Sequence, residues 1–276
     1  MSDFSACFLL IFGQMAVGGM FALAIPPFAV IERGFFKSTA ALFLGCALLF
    51  LAGRVDLVLR RSESLAAAGT LAELGAWLGF VLALARYLWT LWGDAGARVA
   101  RAYVTALGLG TIALAATALS HRPALSPGIV GHLLYVPAFL TGALTLGAVA
   151  TGLSLGHWYL IDLGLSIAPL KRLFRFFVGC VVAHLGVLVA TALLAGLLSA
   201  TGAAALATLW HDHQALVATR LVFGPLAALG LGYLIHRTLE IPQTMAATGL
   251  FYIAILAVMV GELLGRLILF RTALPL

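Results

Sequence analysis

Eight apolar runs, each long enough to cross a lipid bilayer, constrain this chain more than any other feature. A helix that crosses about 30 Å of hydrocarbon needs roughly 20 predominantly apolar residues. The runs cover residues 6–30, 38–59, 71–92, 99–119, 129–157, 173–200, 214–236 and 243–270. Hydrophobic residues make up 63% of the 276-residue chain and charged residues 9%, too few polar groups to cover a water-soluble domain. The sequence therefore predicts an all-α polytopic membrane protein: a single integral membrane domain, residues 1–276, built as an eight-transmembrane-helix bundle.

Lysine and arginine are distributed unevenly between the two sets of connections. The connections after the first, third, fifth and seventh runs carry eight of them: Arg33, Lys37, Arg98, Arg101, Lys171, Arg172, Arg175 and Arg237. The opposite side carries four: Arg60, Arg61, Arg122 and Arg271. By the positive-inside rule, both termini are expected outside the cytoplasm. The net charge of +6 indicates cytoplasmic loops and contact with anionic membrane lipids rather than with nucleic acid.

Glycine and proline predict where helices approach each other and where they break. Pro26 and Pro27 should kink or end the first helix, and Pro137 and Pro225 interrupt the fifth and the seventh. Small residues four positions apart allow close helix packing in membranes. Such pairs are Gly75/Gly79, Gly152/Gly156 and Gly261/Gly265.

The last run holds two charged residues, Glu262 and Arg266, which share one face of a helix. A charge at the bilayer centre costs about 2.5–3.5 kcal/mol on insertion scales, so such residues pair, face the bundle interior or serve a site. A structural ion pair and a functional site both fit the spacing. With the predicted topology, further polar residues of the spans fall in the outer half of the bundle: Gln14, Arg54, Asp56, Glu73, His132 and Arg220. Together these residues predict a polar pocket that opens toward the outer face.

A pocket of this composition suits a quinone. The head group needs one or two hydrogen-bond partners, and oxidation of a quinol needs groups that accept protons. The predicted proton acceptors are Glu262, Glu73 and His132. The predicted quinone-binding residues are Gln14, Arg54, Asp56, Arg220 and Arg266, where guanidinium groups hold carboxylates or polarise a carbonyl oxygen.

Two other functions remain open at this point. A b-type cytochrome subunit would hold haem b between two histidines at matching depth on facing helices, and His132 with His184 is the conceivable pair. A small-solute or ion transporter could use the same polar residues. Haem absorption bands would indicate the first, and uptake by the chain reconstituted alone would indicate the second.

Three segments resemble the membrane anchor subunit of the dimethyl sulfoxide reductase family, which is related to the polysulfide-reductase type of membrane subunit. They are residues 8–19 (FLLIFGQMAVGG), residues 219–222 (TRLV) and residues 261–266 (GELLGR). The number of spans and the outward-facing termini are similar as well. Gln14, Arg220, Glu262 and Arg266 lie in the matching segments.

This resemblance implies a cofactor-free subunit of the bacterial inner membrane that oxidises menaquinol near the outer face. It would pass electrons to an iron–sulfur ferredoxin-like subunit and onward to a molybdopterin subunit. The family carries a histidine-containing segment between the second and third helices, whereas this chain has Gly53, Arg54, Val55 and Asp56 there. Three alternatives follow from this departure: His132 substitutes for that histidine, Asp56 does, or the quinone chemistry is altered or lost.

Overall fold

The computed structural model describes residues 2–60, 68–93, 96–121, 129–162, 164–198, 200–241 and 243–276. Its helices are α1 (Ser2–Ala22), α2 (Arg33–Arg60), α3 (Ala68–Gly93), α4 (Ala97–Ser120), α5 (Ile129–Trp158), α6 (Ala168–Leu198), α7 (Ala200–Asp212), α8 (Gln214–Leu221), α9 (Ala227–Glu240) and α10 (Thr244–Thr272). A π-helical turn, Val222–Leu226, joins α8 and α9 into one span. The described ranges contain eight helical spans that are long and apolar enough to cross a membrane. The prediction of an all-α polytopic bundle is confirmed, and the chain is a multi-pass membrane protein.

The first span is shorter than the predicted 6–30, because α1 ends at Ala22. Pro26 and Pro27 have no backbone N–H, and proline disfavours helical geometry in the residue before it. The chain turns through residues 23–32 and enters α2 at Arg33. The connection between the sixth and seventh spans contains the additional short helix α7.

The bundle is organised around α1 and α5, the two most buried spans. They cross at Gly18 and Gly147, where a Cβ atom on either glycine would overlap the backbone of the other helix. α10 packs against both α5 and α1. The hairpin of α3 and α4, together with α2, packs on α1, whereas α6, α8 and α9 pack on α5 and α10. At Gly18 and Gly147 the backbones of α1 and α5 can approach each other closely because glycine has no side chain.

Two of the three predicted glycine pairs mark close helix contacts. A Cβ atom on Gly156 would lie 2.5 Å from Thr248 Oγ1, and one on Gly261 would lie 2.5 Å from the Cα atom of Gly224. The prediction for Gly75 and Gly79 is wrong. A Cβ atom on Gly75 would have no neighbour within 4 Å in the described residues, and one on Gly79 would meet a single leucine methyl group at 3.9 Å.

Candidate functional site

A buried carboxylate, that of Glu262 in α10, is the centre of the first polar group. Its Oε1 accepts a hydrogen bond from Arg220 Nη2 at 2.8 Å, and its Oε2 accepts one from Arg266 Nη2 at 3.1 Å. His184 Nε2 of α6 lies 2.9 Å from Oε1. All four side chains are buried. We call this group, together with Gln14 and Thr141, the Glu262 cluster. Among its described ion pairs one carboxylate serves two guanidinium groups, so the cluster has a positive excess.

The hydrogen bonds of His184 leave one ring nitrogen with two alternative partners. Thr141 Oγ1 donates to the backbone oxygen of Pro137 at 2.8 Å, so it accepts from His184 Nδ1 at 2.9 Å. His184 Nε2 lies 2.8 Å from Arg220 Nη2 and 2.9 Å from Glu262 Oε1. Unprotonated, Nε2 accepts from Arg220; protonated, it donates to Glu262. The neutral ring, with its hydrogen on Nδ1, therefore satisfies the contacts with Thr141 and Arg220 together.

Arg220 reaches Glu262 through a slot made of three glycines. Cβ atoms on Gly224, Gly261 and Gly265 would each meet the guanidinium of Arg220, with approaches of 3.0 Å from Gly261 and 2.9 Å from Gly265. Gly224 lies in the π-helical turn that contains Pro225, one turn after Arg220. Proline and a π-helical turn both interrupt the regular hydrogen bonding of a helix, and such turns are frequent at functional sites. The absence of side chains at these three glycines thus leaves the space in which the Arg220 side chain lies.

Phe139 of α5 forms a wall beside the Glu262 cluster. The guanidinium carbon of Arg266 lies 4.0 Å from the centroid of its ring, a cation–π contact. Gln14 Nε2 of α1 donates to the Phe139 backbone oxygen at 3.1 Å. Gly142, one turn further along α5, leaves room for the cluster, because a Cβ atom there would lie 2.5 Å from Glu262 Oε2. α1, α5 and α10 therefore meet at these side chains.

A second buried carboxylate, that of Glu73 in α3, anchors another polar group. Its Oε2 accepts from Arg54 Nη2 of α2 at 3.2 Å, and its Oε1 accepts from Thr117 Oγ1 of α4 at 2.9 Å. Trp77 Nε1 donates to the same threonine hydroxyl at 2.8 Å. His121 Nδ1, just beyond the end of α4, lies 2.8 Å from the Thr117 backbone oxygen and donates to it. We call these five residues the Glu73 cluster.

A cavity of about 490 Å³ lies against the Glu73 cluster, on the side of the bundle that carries the N-terminal half of α1 and the end of α10. This volume falls within the 300–1,000 Å³ typical of small-molecule sites. Arg54 and His121 contribute the charged and titratable groups of its lining. Apolar side chains form much of the remaining wall: Ala6, Leu9, Leu10, Phe50, Leu57 and Phe270. The cavity thus combines an apolar wall with a few polar groups.

His121 lies between the cavity and the Phe139 wall. Its ring centroid is 6.1 Å from that of Phe139 and 5.6 Å from that of Phe270, which it meets edge-on. Burial lowers the pKa of His121 below the ordinary value of 6.5. Because Nδ1 carries the hydrogen donated to Thr117, Nε2 of the neutral ring is unprotonated. His121 is therefore a neutral base at the edge of the cavity.

The structure brings most of the predicted site residues together, but in two groups. Gln14, Arg220, Glu262 and Arg266 lie in the Glu262 cluster, whereas Arg54 and Glu73 lie in the Glu73 cluster. Along α10, the eight positions from Glu262 to the cavity residue Phe270 correspond to about 12 Å of helix. The predicted pocket thus has two levels: the cavity and the Glu73 cluster lie nearer the end of α10, and the Glu262 cluster lies deeper in the bundle.

The prediction that Asp56 joins the pocket is wrong. Its carboxylate pairs with Arg60 Nε at 2.7 Å on the exposed surface of α2, and the Asp56 side chain is 54% exposed. Two positions along a helix rotate a side chain by about 200°, so Arg54 and Asp56 point in nearly opposite directions. His132 belongs to α5, but its side chain lies outside the described residues.

Two histidines carry polar contacts that sequence reasoning did not assign to the pocket. His121 falls just after the fourth predicted run, where it resembles an ordinary loop residue. His184 is mid-span, and its depth was the available signal, but without the tertiary structure Glu262 could not be identified as its partner. The threonines Thr117 and Thr141 gave no signal, because hydroxyls are common in membrane helices.

His184 does not suit an axial haem ligand in this arrangement. Nδ1 is engaged by Thr141, and Nε2 lies within hydrogen-bonding distance of Arg220 and Glu262. The void beside it measures about 10 Å³, space for a single water molecule. The geometry of the Glu262 cluster therefore does not favour the haem alternative.

Fold and site together define a class of protein, a multi-pass α-helical membrane protein with two ion-pair clusters, of which the Glu73 cluster borders a cavity. Comparison of the chain with family models, with curated proteins and with solved structures finds no match.

Proposed function

We propose that this chain is the quinone-reactive membrane subunit of a respiratory oxidoreductase complex. In this proposal it binds a quinol in the cavity beside the Glu73 cluster and transfers its electrons to an iron–sulfur partner subunit. The observation that carries the proposal is a head-group-sized cavity with an apolar wall and a neutral histidine base, His121, at its edge. Menaquinol as the substrate and a molybdopterin subunit as the terminal partner rest on the resemblance of the three segments.

The chemistry requires two proton acceptors and an electron acceptor. Oxidation of one quinol to the quinone releases two protons and two electrons; the iron–sulfur subunit takes the electrons. His121 Nε2 accepts a proton, with Nδ1 anchored on the Thr117 carbonyl. The Glu73 carboxylate is the second acceptor in this proposal. It does not line the cavity but lies behind the lining residue Arg54, so the second proton would reach it through a water molecule. Arg54, as a lining residue, donates to a quinone oxygen.

The Glu262 cluster supports the cavity from below in this proposal. Its adjacent void of about 10 Å³ cannot admit a quinone head group. Arg266 instead packs on the Phe139 ring, whose other neighbour is His121. The positive excess of the cluster favours negative charge that develops in the cavity during oxidation. Gln14, Arg220, Glu262 and Arg266 thus act on the substrate through position and charge.

The test is a pair of matched variants in the complex with its iron–sulfur partner. His121→Asn should lower quinol-linked turnover by about 10²–10⁴-fold, the usual contribution of a general base. Asp56→Asn, a change at the exposed carboxylate of the same membrane side, should leave turnover unchanged. A photoreactive quinone should label the helices that line the cavity, α1, α2, α3, α4 or α10. Equal turnover in His121→Asn and the parent, or labelling confined to other helices, would refute the site.

The orientation belongs to the same proposal. The excess of Lys and Arg on one side supports an orientation with both termini outside the cytoplasm. The bacterial inner membrane rests on the resemblance of the three segments. The cavity then opens near the extracytoplasmic face. Tags on either terminus should be accessible to protease in intact spheroplasts. If both tags were protected from the protease, both termini would be cytoplasmic and the proposed orientation would be wrong.

A further inference from the structure

A recess on the membrane face opposite the cavity combines positive charge with an apolar floor. It lies between the start of α6 and the end of α9 and measures about 310 Å³. Each helix contributes two polar residues one turn apart, and each contributes one buried apolar residue. The lining consists of Lys171, Phe174 and Arg175 from α6 and of His236, Leu239 and Glu240 from α9.

The one carboxylate of the recess, Glu240, is already neutralised. Arg237 Nη1 donates to its Oε2 at 2.8 Å, and His236 Nε2 lies 3.5 Å from its Oε1. In the part of the chain that the structure describes, no carboxylate forms an ion pair with Lys171 or Arg175. Arg175 Nε makes a long contact of 3.4 Å with the Lys171 backbone oxygen. The recess therefore offers two cationic groups to an external anion.

The recess lies where two membrane spans end, the level expected for phospholipid head groups. α6 begins at Ala168, so at about 1.5 Å per residue Lys171 and Arg175 lie about 5 and 11 Å into the span. The Phe174 and His236 rings stand nearly parallel, with centroids 6.0 Å apart, and both residues line the recess. An anion held at this level is adjacent to the hydrocarbon, so the acyl chains attached to it would lie along the lipid-facing sides of α6 and α9.

We propose that this recess binds an anionic phospholipid, with the lipid phosphate between Lys171 and Arg175 and the acyl chains against α6 and α9. Basic pockets between transmembrane helices recognise anionic head groups through such charges. The proposal is independent of the quinone site, which lies on the opposite face. It gives Lys171 and Arg175 a function, since neither residue takes part in the proposed electron transfer.

Arg172 provides a matched control, because it is an exposed cation on the same turn of α6 that does not line the recess. Lys171→Gln with Arg175→Gln removes the recess charge, and Arg172→Gln removes one charge outside it. Lys171→Arg with Arg175→Lys keeps the recess charge and changes only its shape. A general effect of net charge would appear in the Arg172 variant, whereas a built site would not respond to it.

The experiment is native mass spectrometry of the delipidated full chain in detergent, titrated with phosphatidylglycerol or phosphatidylcholine. We expect preferential binding of phosphatidylglycerol, weakened about 30-fold in the double Gln variant and unchanged in Arg172→Gln, since each basic residue near a membrane surface contributes about 1 kcal/mol. The charge-conserving variant should retain binding. If the double Gln variant does not fold, Arg175→Gln alone should weaken binding about fivefold.

Three results would overturn the proposal. The first is equal affinity for the two lipids. The second is equal weakening by Arg172→Gln and by the recess variants. The third is displacement of phosphatidylglycerol by millimolar inorganic phosphate, which would identify a site for a soluble anion rather than for a lipid.

Discussion

Replacing Glu262 with Gln should destabilise the whole bundle. The carboxylate accepts hydrogen bonds from Arg220 at 2.8 Å and from Arg266 at 3.1 Å, and both arginines are at most 3% exposed. Without it, two guanidinium groups remain in the interior with no opposite charge among their described partners. Removing one partner of a buried ion pair costs about 3–5 kcal/mol, and one carboxylate here serves two cations, so we expect about 5 kcal/mol. That loss is comparable to the total stability of many domains.

The measurement is reversible unfolding in mixed micelles, followed by helical circular dichroism as the fraction of dodecyl sulfate increases. Glu262→Gln should unfold at a distinctly lower fraction than the parent chain. The control adds Arg266→Gln to it, which returns the charge of the cluster to the parent value and leaves Arg220 with His184 as a hydrogen-bond partner. The double variant should be more stable than Glu262→Gln alone. Additive costs of the two changes, or a parent-like curve for Glu262→Gln, would show that the cluster is not a coupled ion-pair network.

Three further outcomes are expected. Quinol-linked turnover should decline as the pH falls through the pKa of His121, which burial holds below 6.5, because a protonated imidazole cannot accept a proton. His121→Asn should lack this decline. If the variant retained the decline at low pH, another group would be responsible for it. Gly147→Ala should lower stability by about 1–3 kcal/mol in the same unfolding assay, because the added methyl group would overlap the backbone of α1. Gly45→Ala should not lower it, because a Cβ atom there has no neighbour within 4 Å in the described structure. Equal effects of the two variants would contradict the helix crossing. Trp77→Phe should lower the free energy of unfolding by about 1 kcal/mol, because it removes the hydrogen bond to Thr117 of α4. Trp89→Phe, at a side chain that is 80% exposed, should leave the stability unchanged. An unchanged stability in Trp77→Phe would argue against that hydrogen bond.

The fold was predictable because one physical requirement dominates it. Lipid forces backbone polar groups into helices, so runs of apolar residues locate the spans with little ambiguity. The ends of the spans were less predictable. α1 ends four residues before Pro26, and α7 forms where the sequence indicated only a connection. Both depend on how the chain meets its neighbours at the membrane surface, which hydropathy does not encode.

The site was predictable where a charge lies inside an apolar run. The burial cost of Glu262, Arg266 and Arg220 makes such residues conspicuous, and the structure brings all three into contact. Near the ends of spans the same reasoning fails, because a charge there can turn either inward or outward. Arg54 turns inward to Glu73, whereas Asp56, two positions later, turns outward to Arg60.

The π-helical turn at Val222–Leu226 determines the direction in which Arg220 points. A π-helical turn inserts about one residue into an α-helix, and one residue corresponds to about 100° of rotation. A helical wheel drawn through Gln214–Glu240 as one regular helix therefore misplaces α8 relative to α9 by more than a quarter of a turn. Deleting a single residue within the turn would swing Arg220 away from Glu262 and toward lipid, without changing the composition or length of the span appreciably. Correct alignment of any related sequence across this span requires a gap or an insertion at this turn wherever the π-helical geometry is absent.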